Sequence, residues 1–264
     1  NLSMIITTPL ESIYYSDPAP ENLPVILLLH GLGADNTSWQ YQMDVLKQKF
    51  RPIAIDLPGF GQSKGIKGKW SLEYCAEVCF SLLDALFIQK AHVVGISMGG
   101  VIAQYMALKK ADRVDKLILI NTFARLRPQK LDEQTYLLKR YFLSRLRGKD
   151  YQAALVASRL FPGQNQEFYK TELIRQIKES DSHIYHAALK SMGFVDIREK
   201  VKQIQNQTLV ITAENDTTVA VKTQVELARL IPGARQEFIP QSNHAVIIDQ
   251  PDEVNDLMLA FLDL

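Results

Sequence analysis

Short apolar runs alternate with amphipathic stretches along most of this 264-residue chain, and that alternation limits its possible folds more than any other feature. Residues 25–29 are continuously apolar, as expected of a strand covered on both faces, and residues 38–50 follow with helical periodicity. The same unit is predicted again as strands at 52–57, 92–96, 114–121, 208–213 and 236–239 and as helices at 71–87, 99–109, 219–231 and 251–264. With an opening hairpin in residues 4–17, this order predicts an α/β fold in which helices flank a mostly parallel sheet of about eight strands.

Residues 123–195 interrupt the alternation. They contain no buried-strand run and have the pattern of several amphipathic helices. One apolar face is predicted at Leu137, Leu138, Tyr141 and Phe142. Because the segment follows the sixth strand at its carboxyl end, where open α/β sheets bind ligands, we expect a helical cap, or lid, over the site. The predicted organisation is a core of residues 1–122 and 196–264 with residues 123–195 as the cap.

Composition and charge exclude several classes of function. Thirty basic and 29 acidic side chains leave a formal net charge of +1, so no overall field favours binding of nucleic acid. The apolar runs are far shorter than the ~18–20 residues that a membrane-spanning helix needs. The first residues lack a basic stretch followed by an apolar segment, so no signal peptide is expected. Cys75 and Cys79 are interpreted as reduced packing residues of one helix, which favours a cytoplasmic protein.

The first motif that carries chemistry is Gly95-Ile-Ser-Met-Gly99, a G-x-S-x-G pattern between a predicted strand and a predicted helix. A turn of this kind exposes the serine hydroxyl, and its glycines allow close approach to neighbouring elements. The pattern alone is weak, because a structural glycine-rich connection also fits it, but its context favours Ser97 as a nucleophile. A serine hydroxyl is a poor nucleophile near neutral pH, so a histidine base and a carboxylate are expected downstream.

Two late loops supply the expected base and acid. Asp216 follows the strand at 208–213, and His244 follows the strand at 236–239. The chain order of serine, acid and histidine is the one expected for a strand-turn-helix nucleophile. Glu214 is the alternative acid, since it also lies near the strand end, and Asp216 can in addition cap the following helix. No metal and no other cofactor is predicted.

Attack on a carbonyl places negative charge on its oxygen, and each preorganised backbone N–H group is worth ~3–4 kcal/mol of the barrier. One donor is expected from Met98, directly after the nucleophile. The other is expected from Leu32 in the sequence His30-Gly-Leu-Gly33, where the glycines let the backbone approach the substrate. Gly31, Leu32 and Phe123 are predicted to contact the substrate.

Taken together, these motifs resemble the α/β-hydrolase superfamily over nearly the whole chain. The matching residues are His30-Gly-Leu-Gly33 with Trp39 downstream, Asp56-Leu-Pro-Gly-Phe-Gly-Gln-Ser63, Gly95-Ile-Ser-Met-Gly-Gly100, Asp216 and His244. Within it, the chain is similar to the branch of carboxylesterases, 3-oxoadipate enol-lactonases and pimeloyl-carrier methyl esterases. The resemblance implies a cap after the sixth strand and a serine esterase that cleaves a small-molecule ester through an acyl-enzyme. Haloalkane dehalogenases and epoxide hydrolases of this fold are disfavoured, since they use an aspartate where this chain has Ser97.

Other functions of the same fold stay open on the sequence. An enol-lactonase, another C–O or C–S hydrolase, or a cofactor-free haloperoxidase as a side activity would use the same three residues. A non-catalytic small-molecule receptor that keeps the triad to hold its ligand belongs to a different class. Turnover of a short-chain p-nitrophenyl ester separates the enzyme from the receptor.

The first part of the predicted cap is rich in basic side chains. They are Arg125, Arg127, Lys130, Lys139, Arg140, Arg145, Arg147 and Lys149. As a hypothesis, this basic face docks an acidic acyl carrier protein or a substrate carboxylate, as the resemblance to pimeloyl-carrier esterases implies. A solvated helix face is the alternative.

Overall fold

The computed structural model describes residues 3–126, 135–136 and 139–263, and in them eight strands form one sheet. The strands are β1 (Ser3–Thr7), β2 (Ser12–Ser16), β3 (Val25–Leu29), β4 (Arg51–Ile55), β5 (Ala91–Ile96), β6 (Val114–Ile120), β7 (Gln207–Ala213) and β8 (Arg235–Ile239). Their order across the sheet is β1-β2-β4-β3-β5-β6-β7-β8. The β1-β2 hairpin and the β2-β4 pair are antiparallel, and every other pair is parallel. The predicted α/β fold with a mostly parallel sheet is confirmed.

Helices lie between the strands in the predicted order. They are α1 (Gln40–Leu46), α2 (Leu72–Ala85), α3 (Met98–Lys109), α4 (Ser144–Leu160), α5 (Glu167–Glu179), α6 (Ser182–Phe194), α7 (Arg198–Val201), α8 (Val221–Leu230), α9 (Val246–Asp249) and α10 (Pro251–Leu262). A π-helical turn, Lys139–Leu143, precedes α4, which is broken at Gly148. Among the described residues, no helix is both long enough and apolar enough to cross a bilayer.

The helix predicted at residues 38–50 differs from the observed one. A 3₁₀ turn, Asn36–Trp39, comes first, because the Asp35 carboxylate accepts a hydrogen bond from the Thr37 N–H and begins the turn early. Helix α1 then ends at Leu46, four residues before the predicted end. Strand β6 also ends one residue early, since Asn121 has a left-handed backbone with φ 45°.

The core fills both faces of the sheet. All five side chains of β3 are buried, but Leu27 and Leu29 pack in one cluster with α2 and α3, whereas Ile26 and Leu28 pack in the other with α1 and α10. This is the alternation that a strand between two helical layers requires. Cys75 of α2 is fully buried and forms no disulfide, and burial raises its pKa well above the ordinary value, as expected of a packing residue.

The sheet topology brings several loops to one edge. Because β5, β6, β7 and β8 are parallel, Ser97, Asn121, Asp216 and His244 all follow strands at their carboxyl ends. Helices α4, α5 and α6 come between β6 and β7 and contribute side chains to a cavity at the same edge. The division into core and cap, and the role of residues 123–195 as a lid, stay predictions.

The apolar face predicted in the cap lies largely outside the described residues. This holds for Leu137 and Leu138 and for the side chain of Tyr141. Phe142 is described and is 57% exposed, and the apolar face itself stays a prediction. Phe142 sits in the π-helical turn, where the side-chain spacing of an α-helix does not apply.

Candidate active site

Ser97 occupies a sharp turn between β5 and α3. Its backbone has φ 53° and ψ −116°, a conformation that costs a non-glycine residue energy and persists only where the surroundings hold it. The Ser97 N–H donates to the Ile120 carbonyl at 2.9 Å, and the Thr122 hydroxyl donates to the Ser97 carbonyl at 2.6 Å. The end of β6 therefore clamps the turn from both sides.

The glycines around Ser97 are required by close backbone contacts. A Cβ atom on Gly95 would lie 2.3 Å from the Gly99 carbonyl oxygen, and one on Gly99 would lie 2.1 Å from the Leu29 carbonyl oxygen. Real Cβ atoms do not approach oxygen so closely, and backbone cannot move away as a side chain can. The glycine pattern thus lets α3 start directly against β3, with Ser97 at its N-terminal end.

Asp216 and His244 form a direct, buried pair. The His244 Nδ1–H donates to Asp216 Oδ2 at 2.8 Å, and both residues are 6% exposed. The other carboxylate oxygen, Oδ1, accepts the Thr218 and Val219 N–H groups at 2.8 and 2.9 Å. The Gln224 amide also donates to Oδ2, at 3.0 Å. The carboxylate is therefore held by four donors, which fix its orientation toward the imidazole.

The structure distinguishes the two acids that the sequence left open. Glu214 is exposed and lies at the end of β7, whereas Asp216 is buried and bonded to the imidazole of His244. The predicted capping role of Asp216 is met in part, because its Oδ1 holds the turn that leads into α8 rather than the first turn of the helix itself.

Ser97 and His244 face the same cavity, whose volume is about 120 Å³. The loop after β3 borders it as well, since a Cβ atom on Gly31 would lie 3.6 Å from Ser97 Cβ. Gly31, Leu32 and Phe123, the residues predicted to contact substrate, all line the cavity. Most of the remaining lining is apolar and comes from Leu126, Val156, Leu160, Phe161, Leu173, Leu189, Met192, Ile247 and Ile248. An apolar cavity with a few polar groups is typical of a small-molecule site.

Two backbone N–H groups are candidates to bind an oxyanion in this cavity. Met98 is the first residue of α3, and the first N–H groups of a helix have no acceptor within it. The positive end of the helix dipole adds to their effect. The N–H of Leu32 donates to no residue that the structure describes, while the Ala34 N–H closes the loop onto the Gly31 carbonyl at 3.3 Å.

His30, which the sequence indicates only as part of a loop motif, holds that loop in place. Its Nδ1–H donates to the Gly31 carbonyl at 2.7 Å, and its Nε2 accepts the Leu57 N–H at 3.0 Å. Burial lowers the pKa of this fully buried imidazole, so the ring is neutral and can donate at one nitrogen and accept at the other.

Asn121 is a second residue that sequence reasoning missed. Its side-chain amide donates to the His244 carbonyl at 2.9 Å, and its carbonyl oxygen accepts the Ala213 N–H at 2.8 Å. It thereby joins the loop that carries His244 to the end of β7. One signal could have indicated it. Asn121 is a polar residue directly after β6, and the two strands beside β6 are followed by Ser97 and Asp216.

The basic residues of the predicted cap that the structure describes do not form one exposed face. Arg140 is buried, its guanidinium donates to the Tyr185 hydroxyl at 2.8 Å, and it lines the cavity, so its assignment to a surface face is wrong. Arg125 pairs with Asp196 at 3.6 Å, and the Lys149 ammonium donates to main-chain carbonyls. Arg127 and Lys130, and the side chains of Arg145 and Arg147, lie outside the described residues. Lys139 is exposed.

Comparison with known proteins gives one consistent picture. A family model described as alpha/beta hydrolase fold matches residues 24–251. The chain is 28% identical to 3-oxoadipate enol-lactonase 1 of Acinetobacter baylyi, over 92% of this chain and 90% of that protein. It is 27% identical to the pimeloyl-[acyl-carrier protein] methyl ester esterase of Vibrio vulnificus, over 90% and 94% of the two chains. The crystal structure of the enol-lactonase from Burkholderia xenovorans superposes with a TM-score of 0.88 at 26% identity, over 99% of this chain and 100% of that one.

Proposed function

The chain belongs to the alpha/beta hydrolase fold family, and we propose that it is a serine hydrolase that cleaves a carboxylic ester through Ser97, His244 and Asp216. The proposal covers a linear ester and its cyclic form, a lactone, because both present the same acyl C–O bond. The relatives named as an enol-lactonase and a methyl ester esterase support this choice of bond.

In the proposed mechanism, His244 Nε2 takes the proton of the Ser97 hydroxyl as its oxygen attacks the carbonyl carbon. The N–H groups of Leu32 and Met98 hold the resulting oxyanion. His244 then gives the proton to the leaving alcohol oxygen, and the acyl group stays on Ser97. Water, activated by the same imidazole, hydrolyses this acyl-enzyme and frees the acid. Asp216 keeps His244 oriented and stabilises its charged form.

The observation that carries the proposal is the contact between His244 Nδ1 and Asp216 Oδ2 at 2.8 Å, on a residue that faces the cavity beside Ser97. An ionised carboxylate can only accept, so Nδ1 bears the proton and Nε2 keeps its lone pair. This is the tautomer that a general base for a serine needs. A receptor that only holds a ligand has no need of a base in that tautomer.

A carrier-bound acyl chain stays a hypothesis about the substrate. It is supported by the relative from Vibrio vulnificus, whose name includes an acyl carrier protein. Of the basic side chains that would contact a carrier, Lys139 is exposed, whereas Arg140 is buried in the cavity. A free small-molecule ester is therefore the simpler proposal.

The test compares wild-type protein with Ser97→Ala on short-chain p-nitrophenyl esters. We expect kcat/KM to fall by about 10³-fold or more, because the oxyanion donors alone retain only a small part of the rate. Circular dichroism checks that the variant is folded, and Ser81→Ala on α2, away from the cavity, should stay within about twofold. Unchanged turnover in Ser97→Ala would reject this nucleophile. Saturable binding without turnover in the wild type would favour the receptor.

A further inference from the structure

Arg140 is the one arginine that lines the cavity in the described part of the chain. It lies in the π-helical turn before α4, and the residue is only 6% exposed. One guanidinium nitrogen, Nη2, donates to the Tyr185 hydroxyl at 2.8 Å, while Nε has no hydrogen-bond partner among the described residues. This cation therefore lines an apolar cavity with one donor, the Nε–H, that no described residue accepts.

Such an arrangement costs free energy in the empty protein. An arginine side chain stays protonated in proteins, and a buried charge is stable only if it is paired or fully hydrogen-bonded. Within the described residues, no carboxylate lies within 4.0 Å of the Arg140 guanidinium. The Tyr136 ring lies 5.5 Å from it and adds a cation–π contact, but a neutral tyrosine supplies no negative charge.

The acidic residue that lines the same cavity is already engaged elsewhere. Glu172 accepts a short hydrogen bond from Arg175, and this contact lowers the pKa of its carboxyl group. Gln176, which also lines the cavity, donates to Asp35 and Thr37. The protein side chains described here thus leave the Arg140 guanidinium without an anion.

Arg140 is linked through Tyr185 to the loop that carries Leu32. Its partner Tyr185 packs on the loop after β3, because a Cβ atom on Gly33 would lie 3.0 Å from Tyr185 Cε2. Gly33 directly follows Leu32, the candidate oxyanion donor. One tyrosine ring therefore separates the cation from the oxyanion loop. Arg140 and Leu32 both line this cavity of about 120 Å³, so one small substrate can contact both.

We propose that Arg140, together with the Tyr185 hydroxyl, forms a subsite for a carboxylate carried by the substrate. The substrate class is then the half-esters of short dicarboxylic acids, or lactones that carry a free carboxylate. The Nε–H has no partner among the described residues, and the edge of the guanidinium that Nε forms with Nη2 matches the two oxygens of a carboxylate. This inference rests on the proposed function for the identity of the bond that is cleaved. The negative charge of the substrate is inferred from Arg140 alone.

The kinetic test measures one ratio in each variant, kcat/KM for a monomethyl ester over kcat/KM for the dimethyl ester, with succinate, glutarate and adipate as the acids. The wild type should prefer the charged monoester by about 10- to 100-fold, the range of a charge-assisted hydrogen bond. Arg140→Gln should lower that ratio at least about tenfold. Lys139→Gln loses the same charge from the adjacent, exposed position and should keep the wild-type ratio. Arg140→Lys, which retains the charge, should give an intermediate ratio.

A binding test separates this inference from the proposed function. Glutarate should raise the melting temperature of wild-type, Ser97→Ala and Lys139→Gln proteins but not of Arg140→Gln. If no ester is turned over and this binding pattern still appears, the subsite stands and the hydrolase proposal fails. If Ser97 hydrolyses esters without preferring the monoester, and glutarate does not bind, the subsite is rejected. Equal losses on both esters in Arg140→Gln, or equal binding of inorganic phosphate, would also reject it.

Discussion

The side chain of Asn121 connects two parts of the candidate site, and its neighbour Ile120 contacts a third. Its amide donates to the carbonyl of His244, its oxygen accepts the N–H of Ala213, and its neighbour Ile120 accepts the N–H of Ser97. The residue is fully buried and has a left-handed backbone, which asparagine tolerates better than most residues. We infer that it positions the imidazole rather than taking part in the chemistry.

Replacing Asn121 with alanine should lower both stability and turnover. The Ala213 N–H would lose its acceptor in the core, at a cost of ~1–3 kcal/mol, and the left-handed backbone would add ~1 kcal/mol. We expect the free energy of unfolding in urea to fall by ~2–4 kcal/mol and kcat to fall more than KM rises.

Asn121→Gly is the matched variant for that experiment. Glycine relieves the backbone strain but cannot restore either hydrogen bond, so it should regain ~1 kcal/mol of stability and none of the lost kcat. Full recovery of kcat in Asn121→Gly would show that the backbone conformation, and not the amide, holds the loop of His244.

At the scale of elements, the strand-turn-helix of β5 and α3 depends on small residues at two contacts. The β5 backbone at Gly95 touches α3, and the α3 backbone at Gly99 touches the end of β3. Both contacts are between main-chain atoms of different elements. A side chain at either position would push α3 away from the sheet and carry Ser97 and Met98 with it.

Gly99→Ala should therefore be strongly destabilising, although alanine is the better helix former. A Cβ atom 2.1 Å from the Leu29 carbonyl oxygen forces backbone to move, so a loss at or above ~1–3 kcal/mol is expected. Gly193→Ala in α6 is the control, since nothing lies within 4 Å of its Cβ position and the substitution should stabilise by up to ~1 kcal/mol. Thermal unfolding measures both. Similar small effects in the two variants would contradict the close contact.

The elements were predictable to the extent that local patterns determine them. Apolar runs indicated the strands, and glycine spacing indicated the turn at Ser97. Asp216 and His244 were found because each follows a late strand. The early turn at Asn36 was missed because one capping carboxylate, Asp35, moves the helix start.

Burial of Arg140 could not be predicted, since it depends on a contact with Tyr185, 45 residues away. In the sequence, a segment rich in arginine and lysine predicts a surface. The role of Asn121 is hidden for the same reason, because its partner at His244 is 123 residues further along the chain.

At the scale of the whole molecule, two buried histidines make the free energy of unfolding depend on pH. Burial lowers the pKa of both His30 and His92 below the ordinary value of 6.5. The unfolded chain then binds more protons than the folded one as pH falls below about 6.5, so stability decreases in that direction. Burial raises the pKa of Asp56 and Asp249 above 3.8. In the acidic range the folded chain therefore binds more protons at these two groups than the unfolded chain, and their contribution to stability increases as pH falls.

His92→Gln should reduce the pH dependence of stability between pH 6.5 and 5. One fewer group takes up a proton on unfolding. The slope of the free energy of unfolding against pH should therefore become shallower by at most about 1.4 kcal/mol per pH unit. Urea unfolding at several pH values gives the slope, which is independent of any constant loss from the contact between His92 and Phe50. His183→Gln removes an exposed imidazole and is the control. An unchanged slope in His92→Gln would mean that its imidazole titrates alike in both states.

The proposed nucleophile, Ser97, and the proposed base, His244, lie on opposite sides of the α4–α6 segment in the chain, and they reach one cavity only where β5, β6, β7 and β8 lie side by side. During synthesis, Ser97 leaves the ribosome long before His244. Under the proposed mechanism, a growing polypeptide therefore carries an ordinary, unreactive serine until the chain has been translated past β8 and the sheet has assembled. Covalent labelling of that serine by a phosphonate probe would report completion of the whole domain, and no isolated fragment ending before β8 should react.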